Sequence, residues 1–523
     1  MDYTARNGSP TTDNHSLNTN TPNNGTRPAP TTAKGVAKEL GPGLIVAGAV
    51  VGSGELIATT ATGSEAGFWL MWLIIIGCLI KVFVQVELGR YVILTGKTTL
   101  QGITGLPGWK PRGTHWIAWF WLLMIVAATG QMGGIIGGVG QALSIAVPIT
   151  EEGKAFNDIT GQRIKDQLAK VDLLATDRTV VSEQVLTAVE LEPIKPLPSP
   201  GIDPYAWALL ISVITAVILY FGRYGMIETV VTVLVAGFTL LTLLNLVLLQ
   251  MNPTWAVTWA DLRQGLSFGL PPKREGLDPI VTALATFGII GVAAGELVFY
   301  PYWCLEKGYA SFIGPREDTD AWNQRARGWL RVLRWDAWCS MVVYTTSTVI
   351  FYLLGAAVLG RSNLHPQGMD MIRTLAAMYE PVFNETAVGL FLVAAAVILY
   401  STFFVTNASK ARVFADAMVI FGWRKSSPEA NRKWIKGLCV FFPLISFVIF
   451  CFIPKPKELI LLAGTMQSFM LPMLGFAAIY FRYKHTIPAL KPTRTWDIFL
   501  WISALGLLIA GAWLAISKLA PLF

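Results

Sequence analysis

The sequence contains few charged residues. Asp, Glu, Lys and Arg together make up 14% of its 523 residues, against about 25% in an ordinary soluble domain. Hydrophobic residues make up 53%, and the mean hydropathy is +0.51. These values exclude a soluble enzyme of this size and predict an all-α polytopic membrane protein.

Recognisable enzyme motifs are also missing. The sequence has no H-E-x-x-H, no P-loop and no G-x-S-x-G, and no predicted strand precedes the G-x-G of Gly52 and Gly54, as a dinucleotide fingerprint would require. The four histidines lie in the N-terminal tail, in loops or near the ends of apolar runs, where they cannot form a buried metal cluster: His15, His115, His365 and His485. The sequence therefore predicts no enzymatic activity and no cofactor.

The cysteines and the net charge indicate no further ligand. None of the five cysteines forms a C-x-x-C pair, and all lie in or beside apolar stretches, where we expect them to act as small core residues. The net charge of +8 comes from basic residues in short loops between apolar runs, which is typical of membrane proteins. No nucleic-acid partner is predicted.

Apolar runs long enough to cross a lipid bilayer recur along the chain. One span needs about 20 residues at a rise of about 1.5 Å each, and the sequence predicts eleven. They cover approximately 40–63, 67–95, 115–148, 205–222, 227–251, 279–304, 332–359, 385–411, 435–453, 457–482 and 497–520. Spans one to five and six to ten would form two halves, with span eleven added at the end.

Two segments fall outside this pattern. Residues 1–34 are rich in Asn, Thr, Ser and Pro and predict a disordered tail before a transmembrane transporter domain at 35–523. Residues 150–203 hold ten acidic and six basic residues and form a polar insert between spans three and four.

Loop charge predicts the orientation. With the N-terminus inside, the inner loops carry 21 lysines and arginines, Lys410 among them, and the short outer segments carry 8. Short cytoplasmic loops are enriched in basic residues. We therefore expect the N-terminus in the cytoplasm of a cell inner or plasma membrane, and the C-terminus and the 150–203 insert outside.

The first span carries a polar interruption. It reads Gly52-Ser53-Gly54-Glu55 at mid-membrane, and each glycine weakens a helix interior by about 1 kcal/mol relative to alanine. Unwound backbone is tolerated at this depth only where it is buried in protein or lines a cavity. The stretch therefore predicts a broken helix beside a central cavity.

The sixth span repeats this pattern. It reads Gly291-Val292-Ala293-Ala294-Gly295-Glu296-Leu297 followed by Tyr300-Pro301. The Gly-Glu pair marks the weak point, and a proline kinks or breaks a helix. Interrupted helices at matching positions of two halves are the best sequence indication of a transporter's binding site. The predicted architecture is thus a broken-helix, inverted-repeat (5+5) transporter, although the two halves share no strong identity beyond the Gly-Glu pair.

Glu55 and Glu296 are the candidate binding residues. An ionised acid at the bilayer centre costs about 2.5–3.5 kcal/mol on insertion scales, and a cation or proton held in a central cavity would offset that cost. The alternative is that each carboxylate caps a half-helix by accepting backbone N–H bonds. We predict a cation site formed by Glu55 and Glu296 with the freed backbone at Gly52, Ser53 and Gly295.

Other polar side chains in the spans have weaker interpretations. Gln131 and Asn407 either line the pathway or form interhelical hydrogen bonds, and the sequence does not separate these roles. Glu87 and Arg90 have the i, i+3 spacing of a helical ion pair. Glu65 is expected at the outer mouth, solvated.

Part of the sequence resembles a known family. The stretch from Gly41-Pro42-Gly43 to Gly52-Ser53-Gly54-Glu55, followed by Ala66-Gly67-Phe68, resembles the first helix and following loop of the Nramp family of divalent-metal transporters. Weaker similarity at Thr129-Gly130-Gln131-Met132 and at Leu471-Pro472 extends the resemblance over most of the chain from about 36 to 520. It implies secondary transport of a divalent metal ion.

The departures from the family pattern lie at the site. The family's metal-binding Asp of D-P-G-N falls on Gly52 and its Asn on Glu55, while its M-P-H falls on Gly295-Glu296-Leu297. The thioether ligand of the family's methionine is therefore missing here, and the carboxylates of Glu55 and Glu296 are present instead. Such oxygen ligands suit Mg²⁺, Ca²⁺ or Mn²⁺. The resemblance therefore implies a remodelled site for a hard or hydrated cation.

Three functions remain open at this stage. The leading prediction is a secondary transporter, a symporter if protons drive it, for inorganic and mainly divalent cations. An amino acid or another small organic solute is the alternative, because half-helix N-termini also bind carboxylates and the glycines leave room. A non-transporting membrane sensor is supported only by the polar insert.

Overall fold

A computed structural model describes residues 25–176, 199–221, 224–272 and 276–519. The regular structure in these residues is helical, without a β-strand. The first half contains α1 (Ala33–Glu39), α2 (Pro42–Val50), a π-helical segment (Ser53–Thr59), α3 (Thr60–Ala66), α4 (Met71–Thr95), α5 (Thr99–Thr104), α6 (Trp116–Ala146), α7 (Glu151–Thr176), α8 (Asp203–Phe221), α9 (Tyr224–Leu249) and α10 (Trp259–Gly265).

The second half continues the same architecture. It contains α11 (Pro279–Ile289), α12 (Ala294–Lys307), α13 (Tyr309–Ile313), α14 (Asp320–Leu354), a π-helical segment (Gly355–Gly360), α15 (Met371–Ala376), α16 (Glu380–Ile420), α17 (Pro428–Phe452), α18 (Pro456–Lys484) and α19 (Arg494–Leu519). Short 3₁₀ turns connect some of these helices.

The predicted spans are confirmed as helices. Ten helices in the described part of the chain are long and apolar enough to cross a membrane, and they match ten of the eleven predicted spans. The fifth predicted span corresponds to α9, in which Thr239–Leu249 is an apolar helical stretch. The main differences are at boundaries, since α14 begins at Asp320 and α16 continues to Ile420.

The interrupted spans lie at the centre of the bundle. The first span is 94% buried within the protein, whereas α8, α17 and α19 are 33% buried and form the edge. Helices α14 and α16 pack on α2, while α18 packs on α6 and α11. The residues that break their helices are therefore shielded from lipid by their neighbours.

The polar insert contains a helix that packs on the bundle. One side of α7 is buried, with Ile164 and Leu168 in the core cluster. Gln167 Nε2 donates to the Ser362 carbonyl at 3.0 Å, and Trp255 Nε1 donates to Asp172 Oδ1 at 3.0 Å. We call α7 the cover; residues 177–198 of the insert lie outside the described part of the chain.

The prediction of a disordered tail is wrong for residues 25–34. Trp329 Nε1 donates to the Arg27 carbonyl at 3.0 Å, and Arg331 donates to the Pro30 carbonyl at 2.9 Å. The Arg27 guanidinium lies 4.0 Å from the centroid of the Phe312 ring. The aromatic surface of α13 and α14 thus orders this segment, and residues 1–24 lie outside the described residues.

Candidate functional site

The first interruption occurs where it was predicted. Helix α2 ends at Val50, the backbone turns at Val51 and Gly52, and the chain resumes as the π-helical segment that contains Glu55. A β-carbon at Gly52 would lie 1.8 Å from Thr402 Oγ1, and one at Gly54 would lie 2.8 Å from the Ile289 carbonyl oxygen. Glycine is required at both positions because the unwound backbone touches α16 and the end of α11.

The second interruption lies a few residues before its predicted position. Helix α11 ends at Ile289, Gly291 has a φ of 58°, and α12 begins at Ala294. Pro301 was expected to kink or break the helix, but α12 continues through it to Lys307. The left-handed conformation of Gly291 makes the break, and Gly295 and Glu296 therefore occupy the first turn of α12 rather than unwound backbone.

Glu55 is fully buried and only half satisfied. Its Oε1 accepts a hydrogen bond of 3.0 Å from Thr348 Oγ1, whereas its Oε2 has no hydrogen-bond partner among the described residues. Cys78 Sγ lies 3.8 Å from the same threonine oxygen. The backbone N–H groups of Gly52, Glu55 and Gly291 also act on this carboxylate, so the surroundings fit the capping alternative as well as a cation site.

Glu296 lies in the first turn of α12, inside the bundle. It retains 9% exposure and Gln131 retains 8%, although both lie inside the bundle. The N-cap of α12, Ala293, provides no capping side chain. The Glu296 carboxylate interacts electrostatically with Lys410 and Lys81, so its charge is balanced by lysines on two other helices.

A chain of amide hydrogen bonds joins the two interruptions. Gln131 Nε2 donates to Ser53 Oγ at 3.2 Å, Gln467 Nε2 donates to Gln131 Oε1 at 2.9 Å, and the Gly295 N–H donates to Gln467 Oε1 at 3.1 Å. Gln131, for which the sequence left both a pathway-lining and an interhelical role open, forms interhelical hydrogen bonds in the link between Ser53 and Gly295. Sequence reasoning missed Gln467, although a glutamine within the apolar run of span ten is a recognisable signal.

Two buried lysines complete the site and were also missed. Lys81 donates to the carbonyls of Phe287 and Ile290, the latter at 2.7 Å, and Lys410 donates to the Ala128 carbonyl at 2.5 Å. Both side chains are buried. The assignment of Lys410 to an inner loop is wrong, because Lys410 lies buried within α16, which continues to Ile420. The signal for Lys81 was its position in the middle of span two.

The remaining polar residues have structural partners. Asn407 donates to the Phe403 carbonyl one turn earlier at 2.8 Å, and its Oδ1 has no partner among the described residues. Glu87 and Arg90 form the predicted ion pair at 3.1 Å. The prediction that Glu65 is solvated is wrong, because it is buried and pairs with Lys457 at 2.6 Å.

The donor set of the site is small. Within the described residues, no group of three or more His, Cys, Asp or Glu side chains is placed to hold a metal ion. Any cation here would be held by the two carboxylates together with hydroxyl, amide and backbone oxygens. A donor set of this kind binds an ion weakly enough to release it. It is therefore better suited to a transported ion than to a permanently bound one.

Comparison with known proteins identifies related sequences and folds. A family model described as natural resistance-associated macrophage protein-like (Nramp) matches residues 198–517. No curated protein matches the sequence.

Similar solved structures cover nearly the whole chain. A crystal structure of a mutant of the manganese transporter of Eremococcus coleocola has a TM-score of 0.64 and 16% identity, covering 96% of this chain and 90% of that one. The same transporter in complex with an aromatic bis-isothiourea substituted compound has a TM-score of 0.61 and 15% identity, covering 93% and 88%. At this identity the likeness establishes the fold.

Proposed function

Because the chain belongs to the Nramp family, whose model matches residues 198–517, we propose that it is a secondary transporter of inorganic cations with a remodelled site. It is an integral membrane protein with the interrupted helices of that fold. The observation that supports the site is Glu55, a fully buried carboxylate beside the first interruption with one oxygen unpartnered. The manganese transporter of similar fold makes a divalent cation the first substrate to test.

The chemistry of the donors favours a hard divalent cation. Glu55 and Glu296 supply carboxylate oxygens, and Ser53 and the glutamine amides supply neutral oxygens. Oxygen donors suit Mg²⁺, Mn²⁺ or Ca²⁺. The sulfur of Cys78 lies 3.8 Å from Thr348 Oγ1, the hydroxyl that also contacts Glu55, and a neutral thiol is a poor ligand because metals bind the thiolate.

Uptake into proteoliposomes tests the function. Wild-type protein should take up Mg²⁺, Mn²⁺ or Ca²⁺, and Glu55→Gln should reduce uptake about 10- to 100-fold with the fold intact, a loss typical of disturbed metal sites. Glu429→Gln is the matched control, because this glutamate is exposed at the start of α17. Undiminished uptake by Glu55→Gln would reject the site.

Proton coupling belongs to the same proposal. Imposing a pH gradient across the proteoliposome should change the rate of cation uptake if protons are the driving ion. Uptake that depends neither on the pH gradient nor on acidification would show that the cation's own concentration gradient alone drives transport.

A small organic solute is a second candidate, and the two buried lysines favour it. Lys81 interacts electrostatically with Glu55 and Glu296, and Lys410 interacts with Glu296. A site that holds both charges in balance is suited to a zwitterion such as an amino acid. A thermal-shift screen separates the candidates, since stabilisation by amino acids and not by divalent cations would favour the solute.

We further propose that the N-terminus is cytoplasmic and the C-terminus outside. The basic loops support this orientation, and the cover α7 would then lie outside. Labelling of single introduced cysteines with an impermeant thiol reagent on intact cells tests it. A cysteine in the cover should react, and one near Lys425, an exposed residue between α16 and α17, should not; the reverse pattern would invert the orientation.

A further inference from the structure

The side chain of Lys81 ends at the second interruption. Its ammonium donates to the carbonyl oxygens of Phe287 and Ile290, the latter at 2.7 Å, and it lies 4.8 Å from the centroid of the Phe287 ring. The residue has no exposed surface. Lys81 is on α4, so its charge reaches the end of α11 from a neighbouring helix.

The carbonyls that Lys81 contacts are those a cation would select. The last four carbonyls of a helix have no partner within the helix, and the helix dipole places partial negative charge there. Helix α11 ends at Ile289, Ile290 is extended with a ψ of 156°, and Gly291 turns the chain away. The end of α11 therefore presents carbonyl oxygens inside the protein, where water does not satisfy them.

The charged surroundings of Lys81 are also those of a cation site. Its electrostatic neighbours are Cys78, Glu55 and Glu296, so one ammonium is placed near both candidate carboxylates. An ammonium has three donors and no acceptor, and a cation gains further from the face of an aromatic ring. Carbonyl oxygens, an aromatic ring and nearby acids together provide the environment that an alkali or ammonium ion would otherwise occupy.

We propose that the Lys81 ammonium is a tethered cation that takes the place of a bound inorganic ion at the end of α11. It holds Ile290–Ala293 in the interrupted conformation and leaves Glu55 and Glu296 to the transported substrate. Lys81 is thus a positioning residue for the site, and the protein needs no second, separately bound cation at this interruption. This inference does not depend on which substrate is carried.

Chemical rescue of Lys81→Ala tests the proposal. The substitution removes three methylene groups and the ammonium, a fragment that n-propylammonium replaces. In the full-length purified protein, Lys81→Ala should lower the Tm by about 5 °C or more, since a shift of about 2–4 °C per kcal/mol is usual for mid-sized domains. Added n-propylammonium should recover most of that loss and leave the wild type unchanged.

Two control compounds and one control variant separate charge from simple filling of space. n-Propanol has the same shape without the charge, and tetramethylammonium has the charge without N–H donors, so neither should rescue the variant. Lys154→Ala should not respond to the amine, because Lys154 is exposed on the cover. Equal rescue by n-propanol, or no rescue by n-propylammonium, would overturn the proposal.

A second pair of variants keeps the test decisive if Lys81→Ala does not fold. Lys81→Arg keeps a charged donor and should retain most of the uptake, whereas Lys81→Met keeps similar volume without charge and should lose uptake at least about tenfold, as second-shell changes at metal sites do. Wild-type stability and uptake in Lys81→Met would refute a tethered cation. Because the thermal measurement requires no transport, failure of the proposed function would be recognised separately.

Discussion

Gly52 brings the first interruption into direct contact with α16. Its α-carbon is so close to Thr402 that an added β-carbon would lie 1.8 Å from the hydroxyl oxygen and 2.8 Å from the threonine Cβ. A larger side chain therefore has no space at this position.

We expect Gly52→Ala to be strongly damaging. Overpacking of this kind costs about 1–3 kcal/mol, and the clash would also displace the backbone that leads to Glu55. The Tm and the rate of cation uptake should both fall. Gly389→Ala on α16 is the control, because no heavy atom lies within 4 Å of its added β-carbon. A Gly52→Ala protein with wild-type Tm and uptake would show that the close approach is not required.

The sequence identified acids better than it identified their partners. Glu55 could be predicted because a carboxylate in mid-membrane requires a reason. Its Thr348 partner lies 293 positions away, and no local pattern carries that information. Lys410 was counted with the inner loop because it lies at the end of the predicted span, and its partner, the Ala128 carbonyl, is distant in sequence. Glu65 was expected to be solvated because a short-range pattern cannot show its Lys457 partner.

At the level of elements, Asp336 fixes the start of the first interrupted span. Its Oδ1 accepts from the Gly41 N–H at 2.9 Å, and its Oδ2 accepts from the Gly43 N–H at 2.6 Å and from Tyr300 Oη at 3.0 Å. A carboxylate on α14 thus satisfies N–H groups at the N-terminus of α2 and a hydroxyl on α12. The two interrupted spans are connected at this end by one side chain.

Asp336→Ala should loosen α2. Removing the acceptor leaves buried donors unsatisfied, at about 1–3 kcal/mol for each group. Amide hydrogen exchange in residues 41–50 should therefore become faster, while exchange in α17 stays unchanged. Asp336→Asn keeps one acceptor oxygen and should give an intermediate rate. Identical exchange in all three proteins would mean that packing alone holds α2.

The cover should respond to pH through Asp172. Burial raises the pKa of this carboxyl above its ordinary value of 3.8, and hydrogen bonds from Trp255 and Thr254 oppose the rise. An acid with a raised pKa in the folded state stabilises that state below its ordinary pKa and loses the contribution as pH rises through the folded value. The cover should accordingly pack more firmly in acid than at neutral pH.

Tryptophan fluorescence and exchange report on this packing. Lowering the pH from about 7 to about 4 should raise the protection factors of the α7 amides, taken relative to their intrinsic exchange rates at each pH, and alter the emission of Trp255, which is buried against Asp172. Asp172→Asn should remove the response. A cover that loosens in acid in both proteins would contradict the sign of the effect.

For the whole molecule, the sequence predicted the architecture and not the way its parts meet. Apolar runs and two Gly-Glu interruptions were sufficient for the inverted-repeat fold, because spans and breaks are local properties. The meeting of the interruptions through Gln131 and Gln467 depends on the packing of α6 and α18. The second break was expected at Gly295 and Glu296, and it lies earlier because Gly291 adopts a left-handed conformation that no local pattern reveals.

The central claim is that Glu55 and Glu296 hold the same cation. Its most direct test is calorimetric titration of Mn²⁺ or Mg²⁺ into the purified wild type, Glu55→Gln, Glu296→Gln and the double variant. Ligands of one ion are coupled, so each single variant should weaken binding about 10- to 100-fold, and the double variant should lose clearly less than the product of the two effects. Wild-type affinity in either single variant, or losses that simply multiply, would contradict the shared site.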